Sequence, residues 1–101
     1  MRRRPYLVVS ADPWNHVAHY PRATLCPLTG KENVQRRYDT DVALPRRETG
    51  LSKDSVVRCV EVYTTFRDLL LERIGAVPAH RMQQVDRALA LYLGLVTLVE
   101  P

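Results

Sequence analysis

Residues 40–64, TDVALPRRETGLSKDSVVRCVEVYT, carry the pattern on which the fold prediction depends. Thr40, Val42 and Leu44 alternate with polar or small residues, which is the period of a half-buried strand. Residues 45–50 begin with Pro and end with Gly, as turns do, and residues 55–64 are rich in Val and Tyr. This stretch therefore predicts two strands separated by a turn.

The residues upstream predict two further strands. Residues 6–10 form a β-rich run that ends at a turn cluster over 11–13, and residues 23–29 form a second run that ends at Gly30. Pro27 has no backbone N–H to donate, so we expect it at a bulge or at the edge of a sheet. Residues 31–39 hold many charged side chains and are predicted to form a mobile loop.

The last third of the chain changes to a helical period. We predict a short helix over residues 66–72, an extended piece over 74–77 and an amphipathic helix over 79–93. Along that last helix, one side carries the apolar residues Met82, Val85, Leu89, Tyr92 and Leu93, and the other carries Arg81, Gln84, Arg87 and Ala88. Strands first and a helix last predict a mainly β, α+β fold, in which the C-terminal helix packs on a small barrel or sheet.

The 101 residues suffice for one domain, 1–101, with a modest core and a short tail over 96–101. With 46% apolar and 26% charged residues, the chain is predicted to be globular rather than disordered. The C-terminal part carries more apolar residues than a core of this size can bury, which predicts a homodimer. These apolar residues are Leu93, Leu95, Val96, Leu98 and Val99.

The composition also limits the partners of the chain. No apolar run is long enough for a transmembrane helix, and only residues 6–9 follow the N-terminal arginines as an apolar run, against about 7–15 residues in a signal peptide, so we do not expect export. The net charge of +4 allows RNA or DNA as a partner without requiring one. Most of the basic residues are Arg, which suits phosphates but is also typical of GC-rich genomes.

Few residues suit the commonest catalytic patterns. The chain has no nucleophile elbow, P-loop or dinucleotide-binding motif, and no four ligands at metal spacing, so we expect no zinc site. Cys26 and Cys59 are interpreted as small buried hydrophobic residues. For His16 and His19 two interpretations stay open, a general base or an exposed residue without a role.

Two residues at predicted strand ends suit phosphodiester chemistry. Arg4 comes just before the first strand and Thr29 stands at the end of the second. An Arg and a hydroxyl that face one phosphate suit RNA cleavage, because the RNA 2′-hydroxyl is the nucleophile and the protein supplies only proton transfer and charge stabilisation. The two loops near Thr29 and the next strand carry basic residues that either contact phosphates or are merely solvated: Lys31, Arg36, Arg37, Arg46 and Arg47.

Five short pieces stand in order along the chain: RPYLVVS at 4–10 followed by Asn15, CPLTG at 26–30, LSKDSVV at 51–57, VDRAL at 85–89 and LGL at 93–95. In order and spacing they resemble the MazF/PemK toxins, the ribonuclease partners of type II toxin–antitoxin pairs. Each piece alone proves nothing, but the five together extend the resemblance over residues 4–95.

The resemblance implies an SH3-like β-barrel with a C-terminal helix, which forms a homodimer. It implies sequence-specific cleavage of single-stranded mRNA in the cytoplasm, with no metal, cofactor or membrane. In the family, the Arg before the Pro and the Thr at the strand end are the catalytic pair, which corresponds to Arg4 and Thr29, and Asn15 joins the expected RNA contacts. The implied partners are an acidic, MazE-like antitoxin and, only through that complex, operator DNA.

Three differences from the family pattern bear on activity. Family chains open with a further strand that begins Arg-Gly-(Asp/Glu), so we expect this chain to cleave weakly, with Arg4 on a free terminus. Glu61 and Tyr63 stand where many members carry Gln and Arg, and Ala11 stands where Asn or Asp is common. Two functions therefore stay open: an endoribonuclease, and a non-catalytic toxin-like module that dimerises and binds an antitoxin or another protein.

Overall fold

The computed structural model describes residues 4–95. Within them the chain forms five strands, which are β1 (Tyr6–Val8), β2 (Arg22–Gly30), β3 (Asp41–Leu44), β4 (Ser55–Arg58) and β5 (Tyr63–Phe66). The α-helices of this part of the chain are α1 (Asp12–Asn15), α2 (Arg46–Thr49) and α3 (Ala79–Tyr92). Single 3₁₀ turns follow β2 and β5, at Lys31–Asn33 and Arg67–Leu69.

The nine-residue strand β2 is the centre of the fold. Its first half pairs with β5, its middle pairs with β1 through Leu7 opposite Cys26, and its last residues pair with β4 through Leu28 opposite Val57. β3 pairs with the other side of β4, and all four pairings are antiparallel. One strand therefore belongs to two sheets, β1–β2–β5 and β2–β4–β3, and the predicted mainly β architecture with a C-terminal helix is confirmed.

Of the two positions predicted for Pro27, a bulge or a sheet edge, the edge is not observed, because Pro27 lies inside this central strand. Leu25 is the last residue of β2 that stands opposite β5, and Leu28 is the first that stands opposite β4. Pro27 thus falls where one side of β2 changes its partner strand. Its missing N–H interrupts neither ladder, which explains how a proline is accommodated in a central strand.

The core lies between the β2–β4–β3 sheet and α3. Leu28, Val57 and Val42 stand opposite one another in register, so their side chains share one face of this sheet. Val85 and Ala88 pack on that face from α3 and are 0% and 4% exposed. Burial of a Val or Leu side chain stabilises a fold by about 1.5–3 kcal/mol, so this layer fixes the helix on the sheet.

The predicted C-terminal helix is confirmed, and it ends at Tyr92 rather than at residue 93. Gly94 follows with a φ of 73°, a left-handed conformation that stops a helix and that glycine adopts without strain. Ala88 is buried, although the spacing placed it on the polar side, while Tyr92 and Leu93 are exposed. The methyl side chain of Ala88 lets α3 approach β3 closely, which turns this side of the helix toward the sheet.

Two other predicted elements are corrected. Residues 55–64 form two strands, because the chain turns after Arg58, where the Glu61 N–H donates to the Arg58 carbonyl over 3.0 Å. β5 then pairs with the first half of β2. Residues 66–72 are not a helix, because Phe66 still belongs to the β5–β2 ladder, opposite Arg22, and only a 3₁₀ turn follows.

Part of the predicted dimer surface is present in the described structure. Leu93 and Leu95 are exposed, whereas Val96, Leu98 and Val99 lie outside the described residues. Between residues 4 and 95, no helix combines the length and the apolar character needed to cross a membrane.

Candidate functional site

A groove of about 450 Å³ lies on the side of the β2–β4–β3 sheet that faces away from α3. Thr29, Val56 and Ala43 stand opposite one another in register, one residue along from the core row, so they share this outer face. Val56 and Ala43 line the groove, and the half-buried Thr29 ends their row. The strand register therefore directs Thr29 to the same side of the sheet as the groove.

Basic side chains surround this groove, which we call the basic groove. Its lining contains four of the five loop residues predicted to contact phosphates: Lys31, Arg37, Arg46 and Arg47. Asp54 is the one carboxylate in the lining, and its Oδ1 accepts the Arg46 N–H over 2.8 Å. The Asp54 carbonyl accepts the Lys31 N–H over 3.0 Å, so this residue ties both basic loops to the start of β4. The net charge of the lining favours a polyanion.

Arg4 lies beside the end of β2 and so approaches Thr29. Its Nη2 donates to the carbonyl of Leu28, the residue before Thr29, over 3.4 Å. Its guanidinium carbon lies 5.7 Å from the centroid of the Tyr6 ring, within range of a cation–π contact. The structure thus places the Arg4 guanidinium at the carbonyl of the residue before Thr29, the other member of the predicted catalytic pair.

The glycine after Thr29 lies beside the ends of two flexible side chains. A Cβ atom on Gly30 would lie 2.6 Å from Glu32 Oε1 and 2.8 Å from Lys53 Cε. These two residues form an exposed ion pair with Nζ and Oε1 2.7 Å apart. The hydrogen bond from Lys53 is the main reason that the pKa of Glu32 lies below its usual value. Gly30 therefore leaves room for a pair that joins the two loops beside the basic groove.

Two other predicted RNA-binding residues lie outside the groove lining. Arg36 places its guanidinium carbon 5.6 Å from the centroid of the Tyr38 ring. Asn15 is bonded locally, because its Oδ1 accepts the Ser10 hydroxyl over 2.6 Å and its Nδ2 donates to the Ser10 carbonyl over 2.7 Å. The Asn15 side chain therefore fixes the link between β1 and α1 rather than facing the groove.

A buried ion pair supports the loop that carries Arg36 and Arg37. The side chain of Asp41 is 0% exposed, and its Oδ1 lies 3.2 Å from Arg58 Nε in an ion pair without hydrogen-bond geometry. Its Oδ2 accepts the Tyr38 N–H over 2.8 Å. Asp41 therefore fixes the end of this loop to β4 across the sheet.

A second ion-pair cluster, which was not predicted from the sequence, supports α2, the short helix that carries Arg46 and Arg47. Glu48 on α2 accepts bonds from Arg81, with Oε2 and Nη2 3.0 Å apart, and its Oε1 lies 2.7 Å from His80 Nε2. The hydrogen bonding from Arg81 and the nearby positive charges hold the pKa of Glu48 below its usual value. No local sequence pattern predicts this cluster, because Glu48 lies more than 30 residues from His80 and Arg81 in the sequence.

The remaining candidates do not form a site. His16 and His19 are both exposed. Cys26 and Cys59 are 0% exposed, as expected of buried hydrophobic residues. The hydrogen bond with Cys26, together with burial, raises the pKa of Cys59, so its thiol stays protonated. Within the described part of the chain, no three His, Cys, Asp or Glu residues are grouped to hold a metal ion.

The sequence matches one family model, described as a PemK-like, MazF-like toxin of type II toxin–antitoxin system, over residues 1–93. Two similar relatives are Endoribonuclease MazF2 of Mycobacterium bovis and Endoribonuclease MazF6 of Mycobacterium tuberculosis. Each is 34% identical to this chain over 94 residues, which cover 93% of this chain and 81% of the relative.

Three solved structures have a fold similar to that of this chain. The fold is similar to that of Mycobacterium tuberculosis toxin MazF-mt6, with a TM-score of 0.77, 24% identity, and coverage of 90% of this chain and 86% of that one. It is also similar to an endoribonuclease in complex with its cognate antitoxin from a Mycobacterial species, with a TM-score of 0.75, 28% identity, and coverage of 94% and 84%. A MazE–MazF structure from Deinococcus radiodurans matches with a TM-score of 0.73, 28% identity, and coverage of 93% and 88%.

Proposed function

This chain belongs to the PemK-like, MazF-like toxins of type II toxin–antitoxin systems, and on that basis we propose that it is an endoribonuclease that cleaves single-stranded mRNA at specific sequences without a metal. The observation that carries the proposal is the basic groove, because Val56 and Ala43 in its lining share a register row with Thr29, and Arg4 contacts the carbonyl of the residue before Thr29. The alternative of a non-catalytic module has less support, because both of these relatives are named endoribonucleases.

The proposed reaction uses the RNA itself as the nucleophile. The 2′-hydroxyl loses its proton and attacks the adjacent phosphorus, the bond to the 5′-oxygen breaks, and that oxygen takes up a proton. The products are a 2′,3′-cyclic phosphate and a 5′-hydroxyl. Thr29 would position the phosphate through its hydroxyl, while Arg4 would transfer a proton or stabilise the negative charge of the phosphorane.

The basic groove would hold the RNA backbone on either side of the cleaved bond. We propose phosphate contacts for Lys31, Arg37, Arg46 and Arg47, all of which line the groove. Arg36 and Asn15 lie outside the lining, and for them we propose contacts with nucleotides farther along the strand. Single-stranded RNA suits such a groove because its bases can turn outward to be recognised by the loops.

The proposed function is tested by cleavage of single-stranded RNA oligonucleotides. We expect products with a cyclic phosphate and a 5′-hydroxyl, and the same rate in EDTA. A matched oligonucleotide with one 2′-deoxy sugar at the cleaved position should survive, because it lacks the nucleophile. Cleavage of the deoxy oligonucleotide, or inhibition by EDTA that added metal reverses, would contradict the proposal.

We also propose the partners of the toxin. Because similar structures include an endoribonuclease with its cognate antitoxin and a MazE–MazF structure, we propose an acidic, MazE-like antitoxin here, and contact with operator DNA only through it. The exposed Leu93 and Leu95 support a homodimer, which light scattering at tens of micromolar would detect. Since the proposed substrate is mRNA, we propose the cytoplasm as the compartment of action.

A further inference from the structure

The pairing of β1 with β2 continues one residue beyond β1, to Pro5 opposite Leu28. The register runs from Val8 opposite Leu25 to Tyr6 opposite Pro27, and the next pair in that order is Pro5 and Leu28. The Leu28 N–H donates to the Pro5 carbonyl over 3.1 Å. In an antiparallel ladder such a bond marks a pair whose two residues normally exchange both N–H···O bonds.

Pro5 can make only one of those two bonds. It accepts from Leu28 but has no N–H to give in return, so the ladder leaves the Leu28 carbonyl without its usual donor. Arg4 supplies the missing donor from its side chain, with Nη2 3.4 Å from that carbonyl oxygen. The guanidinium has five N–H donors, so this contact leaves the others free for an anion.

We propose that Pro5 is a positioning residue for Arg4, because its missing N–H reserves the Leu28 carbonyl as the anchor of the guanidinium beside Thr29. The inference rests on the proposed function, since it concerns the rate of RNA cleavage. An ordinary residue at position 5 would donate its own N–H to this carbonyl from within the ladder. The guanidinium would then lose its anchor and turn toward solvent, because Arg4 is otherwise exposed and, among residues 4–95, its one other side-chain contact is with the Tyr6 ring.

The decisive variant is Pro5→Ala, measured as kcat and KM separately. We expect kcat to fall about 10- to 100-fold, because a displacement of about 1 Å at a reacting group has effects of that size. KM should stay within twofold, because the cations of the basic groove are unchanged. The new amide at position 5 should exchange slowly with deuterium, because it donates to Leu28, and the melting temperature should not fall.

The chain offers a matched control at Pro21. The Arg67 N–H donates to the Pro21 carbonyl over 2.7 Å, so Pro21 occupies the same kind of pair in the β5–β2 ladder. There the carbonyl opposite the missing N–H, that of Arg67, already accepts the Leu70 N–H over 3.0 Å. Pro21→Ala therefore makes the same chemical change where no guanidinium depends on the carbonyl, and we expect kcat to stay within twofold.

A rescue separates the N–H from the proline ring. An α-hydroxy acid with the alanine side chain, joined by an ester at position 5, lacks both the ring and the N–H, and we expect it to restore kcat. The inference is overturned if Pro5→Ala keeps full kcat, or if the ester does not rescue it, while Arg4→Ala still abolishes cleavage; the proposed function then stands. If Arg4→Ala itself cleaves at full rate, the proposed catalytic role and this inference fail together.

Discussion

A guanidinium that stabilises a phosphorane has to be held in place, and Arg4 is held at the Leu28 carbonyl and at the Tyr6 ring. We expect Arg4→Ala and Thr29→Ala each to lower the cleavage rate about 10²–10³-fold, the usual effect of removing one transition-state donor. Arg4 is exposed and Thr29 is half-buried, so the melting temperatures should change little. Cleavage of a fluorogenic RNA and thermal unfolding measure the two effects.

The control for these variants is Arg73→Ala. Arg73 is exposed, and its Nε donates to the Gly75 carbonyl, so the change removes an Arg of the same charge from a place outside the groove lining. The control should cleave at the rate of the unchanged protein. An equal loss in the control would show that net charge, and not the position of Arg4, sets the rate.

The buried Asp41 is the residue on which the loop before β3 depends. Asp41→Ala leaves Arg58 without its counter-ion and the Tyr38 N–H without its acceptor. We expect the free energy of unfolding to fall by about 3 kcal/mol, because loss of one partner leaves a charge buried and uncompensated. Urea unfolding measures the change. Glu32→Ala breaks a pair that is exposed on both sides and should barely move the transition, so similar losses in both variants would contradict the burial argument.

At the scale of elements, the Glu48 cluster joins α2 to the start of α3. The pKa of Glu48 is lowered in the folded state, so the folded state binds fewer protons than the unfolded state. The Glu48 carboxylate therefore stabilises the fold fully only above the unfolded pKa of about 4.3. This contribution is lost as the pH falls below that value. We expect the difference in melting temperature between the unchanged protein and Glu48→Gln to be largest near pH 6 and to close toward pH 3.

The matched variant for this titration is Glu72→Gln, at an exposed position of the irregular segment between β5 and α3. Glu72 is in none of the ion pairs of the described residues, so the melting temperature of this variant should stay close to that of the unchanged protein. A difference for Glu48→Gln that stays constant from pH 6 to pH 3 would mean that the cluster does not stabilise the fold through the charge of Glu48.

Some elements of the fold can be predicted from the sequence and others cannot. The step from Met82 to Leu89 predicts α3 because a helical period repeats within a few residues and needs no partner. The sequence predicts one strand over residues 55–64 because their composition stays β-rich through the turn. The structure has two strands there, because β4 and β5 pair with different parts of β2. In the site, the loop cations follow from charge runs, whereas Glu48 and Arg81 meet only in three dimensions.

For the molecule as a whole, the basic groove should govern how salt affects RNA binding. Each phosphate contact adds about 0.7 to the slope of log affinity against log salt for a single strand. We expect the double variant Arg37→Ala/Arg47→Ala, which removes two lining cations, to lower that slope by about 1.4. A 2′-deoxy oligonucleotide that cannot be cleaved, titrated at several salt concentrations, measures the slope.

Arg36 gives the comparison from the same loop. It is exposed and stacks on Tyr38 outside the groove lining, so Arg36→Ala should change the slope less than Arg37→Ala does. Equal slopes for the unchanged protein and for Arg37→Ala/Arg47→Ala would show that these residues are only solvated and that the groove does not carry the phosphates.

The central position of β2 also predicts which part of the molecule resists unfolding most. Because β2 pairs with β1, β4 and β5, its backbone amides are released only when both sheets come apart together. Hydrogen exchange should therefore be slowest along this strand, while α1 and the turn after β5 open through local fluctuations. Leu28 and Thr29 lie on β2, so we expect Thr29 and the carbonyl that anchors Arg4 to stay in place until the sheets separate, whereas Arg4 itself, which precedes the short strand β1, is released when that strand frays.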